Sequence, residues 1–159
     1  MARIKDVVDE FLLIAGAFTS INSQTYNELG ATLWEDNDKS YPFMLVDKRG
    51  LSMNVDTYSR TNLPSSSTYT FQTHFFDTYT EAEKLTTDLQ TKQDALMVIA
   101  EQFFAELRTR TESGAKGFYL GDVSLGVQDE AQADQLIQVS YDVEIIVKTE
   151  DCTLGTFNY

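Results

Sequence analysis

The sequence predicts an α+β domain in which an antiparallel or mixed sheet of about five strands packs against one long helix, with a further helix at the N-terminus. Two segments place apolar residues at spacings of three and four, as amphipathic helices do. Other segments alternate apolar and polar residues, as half-buried strands do. The 159 residues fit one domain, which we expect over residues 1–148, with residues 149–159 as a C-terminal arm.

The first helix is predicted over residues 3–18, where one apolar stripe is separated from the charged positions. The stripe consists of Ile4, Val7, Val8, Phe11, Leu12, Ala15 and Phe18. Residues 19–40 have the composition of a loop, in which we expect a short helical turn around Tyr26 to Leu29.

A β-hairpin is predicted in the segment YPFMLVDKRGLSMNV, residues 41–55, because Asp47 and Gly50 suit the first and last positions of a tight turn. Residues 57–68 are expected to form a loop, since a proline and three serines follow one another there. The next strand is rich in aromatic residues. It presents Phe71 and Phe75 on one face, and His74 and Phe76 on the other.

The long helix is expected to begin at Thr80, because Thr80 and Glu83 have the spacing of a capping box. It would continue for about 30 residues, or about 45 Å, until Ser113 and Gly114 end it.

The closing pair of strands is predicted in GFYLGDVSLGV, residues 117–127, and DQLIQVSYDVEIIVKTED, residues 134–151. The second segment has six apolar residues on one face, from Ile137 to Val147. Its alternating part would extend about 50 Å, whereas strands usually span about 17 to 20 Å. We therefore expect one end of this strand to pair or pack beyond its own domain, at the edge of a subunit.

The charge is strongly acidic, with 12 basic and 25 acidic residues and a formal net charge of −13. Such a charge repels phosphate backbones and anionic membranes, so nucleic-acid binding is not expected. Two explanations remain open: the charge maintains solubility, or it forms a wall along which DNA slides without being held.

The only cysteine is Cys152, so no intramolecular disulfide can form. The apolar stretch from Phe11 to Phe18 is too short to span a bilayer, and acidic residues precede it where a signal peptide has none. We expect a cytosolic chain without a membrane segment.

The sequence contains few residues that could support catalysis or bind a metal. His74 is the only histidine, so it lacks a second histidine with which to form a metal site, and a structural or surface role is expected. Glu150 and Asp151 disfavour a thiolate at Cys152. We therefore expect no catalytic residue, no cofactor and no metal, with a hydrolase that uses paired carboxylates as the enzymatic alternative.

Two acidic clusters could bind calcium or could simply be solvated loops, and solvation is the simpler interpretation because neither has the pattern of a calcium loop. The clusters are Glu35, Asp36 and Asp38, and Asp129, Glu130 and Asp134.

The order of these elements resembles a known family. It is carried by the N-terminal helix, the YPFMLVD strand and its hairpin, the YTFQTHFFD strand that leads into the TEAEKLTTDL…FFAELRT helix, and the closing pair GFYLGDVSLGV and LIQVSYDVEIIVKT. This layout is similar to that of the tail-terminator and related neck proteins of tailed bacteriophages, which are small acidic α+β chains that form rings between head and tail. The residue usage is similar to that of virion proteins of crAss-like phages.

The resemblance implies a virion protein, made in the host cytoplasm, that forms a homo-oligomeric ring with other neck and tail proteins as partners. DNA would pass through the ring without specific binding. The acidic clusters are candidates for the lumen or an interface, and the arm would dock on a neighbouring subunit. The interface candidates are Val143, Ile145, Val147, Leu154, Phe157 and Tyr159.

Two other classes of function remain open beside the ring. One is a cytosolic module that binds a small ligand or a peptide between helix and sheet, and the other is the carboxylate hydrolase. Both would be expected to behave as monomers.

Overall fold

The computed structural model describes residues 3–27, 40–48, 52–57, 64–80, 88–113, 115–131 and 136–148. These residues form two helices and six strands. They are α1 (Ile4–Ala17), β1 (Ser23–Asn27), β2 (Phe43–Asp47), β3 (Ser52–Thr57), β4 (Pro64–Thr78), α2 (Asp88–Thr111), β5 (Phe118–Ala131) and β6 (Leu136–Lys148). The predicted α+β class and the mixed sheet are confirmed.

Helix α1 occurs where its apolar stripe predicts it. The backbone N–H of Arg3 donates to Asp6 Oδ2 at 2.7 Å, which satisfies a free donor at the first turn. The helix ends at Phe18, whose extended backbone leaves the helix while its N–H still reaches the carbonyl groups of Ile14 and Ala15. Phe11 and Ile14 are fully buried, so the stripe faces the core.

The sheet has the strand order β1-β2-β4-β6-β5, with β3 also paired to β4. Only β1 and β2 run parallel; the other pairs are antiparallel. Strands β4 and β6 form the centre and pair continuously from Ser66 opposite Lys148 to Thr78 opposite Leu136.

The predicted hairpin of β2 and β3 is wrong. Both strands pair with β4 at different points along its length: β2 lies opposite Thr73–Phe76, and β3 lies opposite Pro64–Thr70. This is possible because β4 has 15 residues and begins within the predicted serine loop. A strand of this length can accept two short strands end to end.

Strand β1 occupies a segment in which we predicted a loop with a helical turn. It runs parallel to β2, with Ser23 opposite Phe43 and Asn27 opposite Asp47. Flanking bonds hold it there, since Asn22 N–H donates to the Pro42 carbonyl at 2.8 Å and Lys48 N–H donates to the Asn27 carbonyl at 3.0 Å. Its polar sequence, SQTYN, lacks the alternation that reveals a strand, because all five residues are only half-buried.

Strands β5 and β6 form the predicted closing hairpin, but β5 extends to Ala131 and takes up part of the predicted polar loop. We expected one end of this strand to pair or pack beyond the domain, and residues 136–148 leave no edge free for such pairing. Every residue of β6 lies opposite a β4 residue, and β5 covers the other side. Strands β4 and β5 of the same chain therefore pair with the two edges of β6.

Both helices cover one face of the sheet, so the expectation of a single long covering helix is too simple. Phe11 of α1 lies 5.2 Å from Phe71 of β4 and 5.6 Å from Phe103 of α2, measured between ring centroids. The described part of the second helix has 24 residues, whereas about 30 were expected; residues 81–87 lie outside the described residues. No helix in the described part of the chain is long and apolar enough to cross a membrane.

The opposite face of the sheet carries a smaller apolar cluster beside polar side chains. The cluster is formed by Phe43, Leu45, Phe76 and Leu136, with Tyr41 packed against it. Alternation along the strands sends these residues away from the main core.

Candidate functional site

Three of the predicted interface residues belong to the core. Val143, Ile145 and Val147 are at most 1% exposed, on the face of β6 that the helices cover. Their assignment to an interface is therefore wrong, because a side chain packed in its own domain cannot contact another subunit. The alternation that singled them out reflects burial within the chain.

The structure says less about the remaining predicted site residues. Asp129 and Glu130 lie on β5, opposite Gln138 and Ile137, which places them on a strand although a loop was expected. The other predicted residues lie outside the described ranges. They are Glu35, Asp36, Asp38, Asp134, Leu154, Phe157 and Tyr159, together with Cys152.

His74 is at the centre of a buried polar network on the face of the sheet opposite the helices. Its Nε2 atom lies 3.1 Å from Asp47 Oδ2, and its Nδ1 atom lies 2.5 Å from Ser140 Oγ. Gln138 Nε2 lies 3.1 Å from His74 Nδ1 and donates to Ser140 Oγ at 2.9 Å. The network therefore connects β2, β4 and β6.

The partners of His74 define its tautomer. The Asp47 carboxylate can only accept, so Nε2–H donates to it and Nδ1 is left as an acceptor for the Ser140 hydroxyl and the Gln138 amide. Burial lowers the pKa of His74 below its usual value, although Asp47 and Asp142 act in the opposite direction. The ring is thus neutral at pH 7.

An aspartate, a neutral histidine and a serine in a chain of hydrogen bonds are also the components of a hydrolase triad. Here Ser140 and His74 are each only 2% exposed, so the serine oxygen is closed to a substrate in this structure. We predicted a structural or surface role for His74, and this burial excludes the surface role. Asp47 and Ser140 were missed by the sequence analysis, which had no strand register from which to place them.

Glu10 is the second buried polar group of interest, on the side of α1 that faces the end of α2. Its side chain is 9% exposed, and its Oε2 lies 3.1 Å from Lys116 Nζ. Its Oε1 is buried without a hydrogen-bond partner, and it forms a long ion pair with Arg110 Nη1 at 4.0 Å. An unsatisfied buried acceptor costs about 1–3 kcal/mol.

Glu10 lines an open pocket of about 450 Å³ between α1 and the start of β5, which we name the Glu10 pocket. The residues that line it are Asp6, Asp9, Glu10, Leu13, Lys116 and Phe118. Three cations face its three carboxylates, since Lys116 and Arg110 pair with Glu10 and Lys5 pairs with Asp9. Leu13 is 60% exposed and supplies an apolar wall.

Two buried hydroxyl groups, those of Thr73 and Tyr141, have no hydrogen-bond partner among the described residues. They lie opposite each other on β4 and β6, on the face that the helices cover. Burial, with a smaller contribution from Glu101, raises the pKa of Tyr141 to about 12. Tyr141 therefore stays protonated at neutral pH and cannot act as a base there.

The described residues contain no group of three or more histidine, cysteine, aspartate or glutamate side chains that could hold a metal ion. Comparison of the chain with protein-family models and with curated proteins found no match. The Glu10 pocket and the His74 network are therefore interpreted from their own geometry.

Proposed function

We propose that this chain is a virion structural protein that forms a ring at the head–tail junction, or at the end of the tail tube, of a tailed bacteriophage. The observation that carries the proposal is the order of elements. An aromatic central strand, β4, is followed in the chain by α2, and the β5–β6 hairpin then returns to lie beside β4. These elements belong to the layout that resembles tail-terminator and neck proteins, although the hairpin of β2 and β3 that the resemblance also included is not formed.

The net charge of −13 supports the same proposal. DNA that passes through a ring must not be held by its wall, and an acidic surface repels phosphates. An acidic lumen would therefore lower the friction on the moving genome. Glu35, Asp36, Asp38, Asp129, Glu130 and Asp134 remain candidates for that surface.

Contacts between subunits must use surfaces other than the apolar face of β6, which is buried in its own domain. The C-terminal arm, with Leu154, Phe157 and Tyr159, is the proposed contact. Its apolar residues are too sparse to form a core of their own and suit a pocket on a neighbouring subunit.

The mass of the protein in solution tests this proposal. Size-exclusion chromatography with light scattering should give a multiple of the 18.0 kDa chain, about 108 kDa for a sixfold ring. Negative-stain images should show closed rings. Removal of residues 149–159 should reduce the oligomer to smaller species. A monomer at all concentrations, with no rings in the images, would contradict the proposal.

A ligand-binding module is the second candidate, because the Glu10 pocket lies between a helix and the sheet and has an unsatisfied carboxylate oxygen. This alternative requires a stable monomer, so the same measurement of mass separates the two functions.

A further inference from the structure

We propose that residues 28–39 cover the apolar cluster and the His74 network on the face of the sheet opposite the helices, with Trp34 as the central contact. These residues connect β1 to β2 and lie outside the described ranges. The proposal goes beyond ring formation and does not depend on it. Three properties of the chain support it: the burial of that face, the handedness of the connection and the length of the segment.

The face opposite the helices is buried at one end and half-exposed at the other. The residues of its apolar cluster are at most 4% exposed. Farther along the same face, Thr70, Gln72 and Asp142 are only half-buried. A sheet face that meets water directly leaves its side chains partly exposed, so the burial of the cluster requires a covering layer. Both described helices lie on the other face, so this layer must come from a segment between the described elements.

The handedness of the connections selects the segment. Strands β4 and β5 run parallel, because each is antiparallel to β6 between them, and helix α2 connects them across the helix face. Connections between parallel strands of one sheet are almost always right-handed. The step from β1 to β2 goes toward the same edge of the sheet as the step from β4 to β5, but these strands point the opposite way. Reversal of the strand direction moves a right-handed connection to the other face. The connection from β1 to β2 therefore crosses the face opposite the helices.

The segment is long enough to span the cluster. Strand β1 ends at Asn27, and Ser23 Oγ donates to the Ser40 carbonyl at 2.5 Å, so the chain returns to the start of β1. The twelve residues 28–39 could extend about 40 Å, whereas the five residues of β1 span about 17 Å. The surplus allows the segment to reach Leu136 on β6, which is three strand spacings or about 14 Å from β1.

The composition of the segment suits a layer with one apolar and one charged side. Leu29, Leu33 and Trp34 provide apolar surface for the cluster, whereas residues 81–87 contain only one large apolar side chain. The acidic residues at positions 35–38 must stay at the outer surface, because burial of an unpaired charge is costly. A protein that approaches this face would therefore meet carboxylates, and the apolar cluster would be internal to the subunit.

Nuclear Overhauser spectroscopy of the full chain tests the contact. Trp34 is the only tryptophan, so its indole N–H gives a single resonance. We expect cross-peaks from the indole protons to the methyl groups of Leu45 and Leu136, which belong to the apolar cluster. No cross-peak is expected to Leu107 of α2, which lies in the core on the other face.

A double-mutant cycle gives an energetic measurement of the same contact. Leu45→Ala and Leu107→Ala are matched, because both leucines are fully buried on opposite faces of the sheet. In the Trp34→Ala background, the rise in the unfolding constant caused by Leu45→Ala should be at least about fivefold smaller than in the unaltered protein. The rise caused by Leu107→Ala should agree in the two backgrounds within about twofold. Urea denaturation measures these constants, and the cross-peaks of the unaltered chain decide the question if a double variant does not fold.

Four results would overturn the proposal. They are cross-peaks from Trp34 to Leu107 in place of Leu45 and Leu136, an indole N–H that exchanges freely with water and shows no cross-peak to either face, cross-peaks that join Leu45 and Leu136 to residues 81–87 or 149–159 instead of Trp34, and equal coupling of Trp34→Ala to both leucine variants. None of these results depends on the oligomeric state, so they leave the test of the ring separate.

Discussion

His74 Nε2 donates a hydrogen bond to Asp47 Oδ2 over 3.1 Å, with only 3% and 5% of the two side-chain surfaces exposed. This contact joins β2 to β4 on the face of the sheet that the helices leave uncovered. The free energy that this contact contributes to folding depends on the protonation of His74, because a charged ring is costly to keep buried.

Acidification should therefore destabilise the fold through His74. Burial makes the pKa of the folded state lower than the unfolded value of 6.5. As the pH falls through 6.5, the unfolded chain takes up a proton before the folded chain does, and stability decreases until the pKa of the folded state is passed. Urea denaturation at pH 7.5 and pH 5.5 should show this loss. A His74→Gln variant should lose less stability over that interval; an equal loss in both proteins would contradict the assignment.

Ser140→Ala should reduce the free energy of unfolding by about 1–3 kcal/mol, because His74 and Gln138 both lose a buried partner. Chemical denaturation followed by circular dichroism measures this change. Ser124→Ala is the matched control, since Ser124 is exposed on β5, and it should change stability by no more than about 0.5 kcal/mol. Equal effects of the two changes would show that the network contributes nothing.

Phe103→Ala should cost about 3–5 kcal/mol, because Phe103 is fully buried and its ring lies within 6.3 Å of Phe11, Phe18 and Phe75. The substitution would leave a cavity where the two helices pack against each other and against the sheet. Val98→Ala changes a side chain that is 49% exposed on the same helix and should cost far less. Thermal unfolding of the two variants measures both losses of stability. If the helices did not share a core with the sheet, Phe103→Ala would lower stability no more than Val98→Ala.

Gly121→Ala should destabilise the β5–β6 pair by about 1–3 kcal/mol. A Cβ at this position would lie 3.2 Å from both the Cβ and the carbonyl oxygen of Glu144, so backbone would have to move. Gly16→Ala in α1 is the control, because its Cβ would meet only the flexible end of Gln24. That change should leave stability unchanged or raise it slightly, as alanine favours helices. A loss of stability in Gly16→Ala as large as in Gly121→Ala would refute this explanation.

Alternation of apolar and polar residues was sufficient to predict β6, the part of β4 after the expected serine loop, and the faces of both, since the side-chain direction of a strand follows directly from sequence position. It placed Phe75 on one side and His74 on the other, as the structure does. Strand β1 gave no such signal, because an edge strand with half-buried polar residues has no apolar face.

Pairing was the harder part to predict. The spacing of Asp47 and Gly50 suggested a tight turn and a hairpin of β2 with β3. The choice of β4 as the common partner of both strands depends on a register that local residues do not specify. The His74 network was missed for the same reason. His74 lies 27 positions from Asp47 and 66 from Ser140 in sequence, and only the pairing of β2, β4 and β6 brings them together.

The position of β6 at the centre of the sheet has a consequence for synthesis on the ribosome. Residues that pair between β4 and β6 are separated by 58 positions for Thr78 and Leu136 and by 82 for Ser66 and Lys148. Such distant contacts form slowly, because a long loop must close before they are gained. Until residues 136–148 emerge, β4 exposes one unpaired edge along its full length and Phe71 and Phe75 lack a complete core. The nascent chain therefore depends on β6 to conceal a segment that would otherwise aggregate.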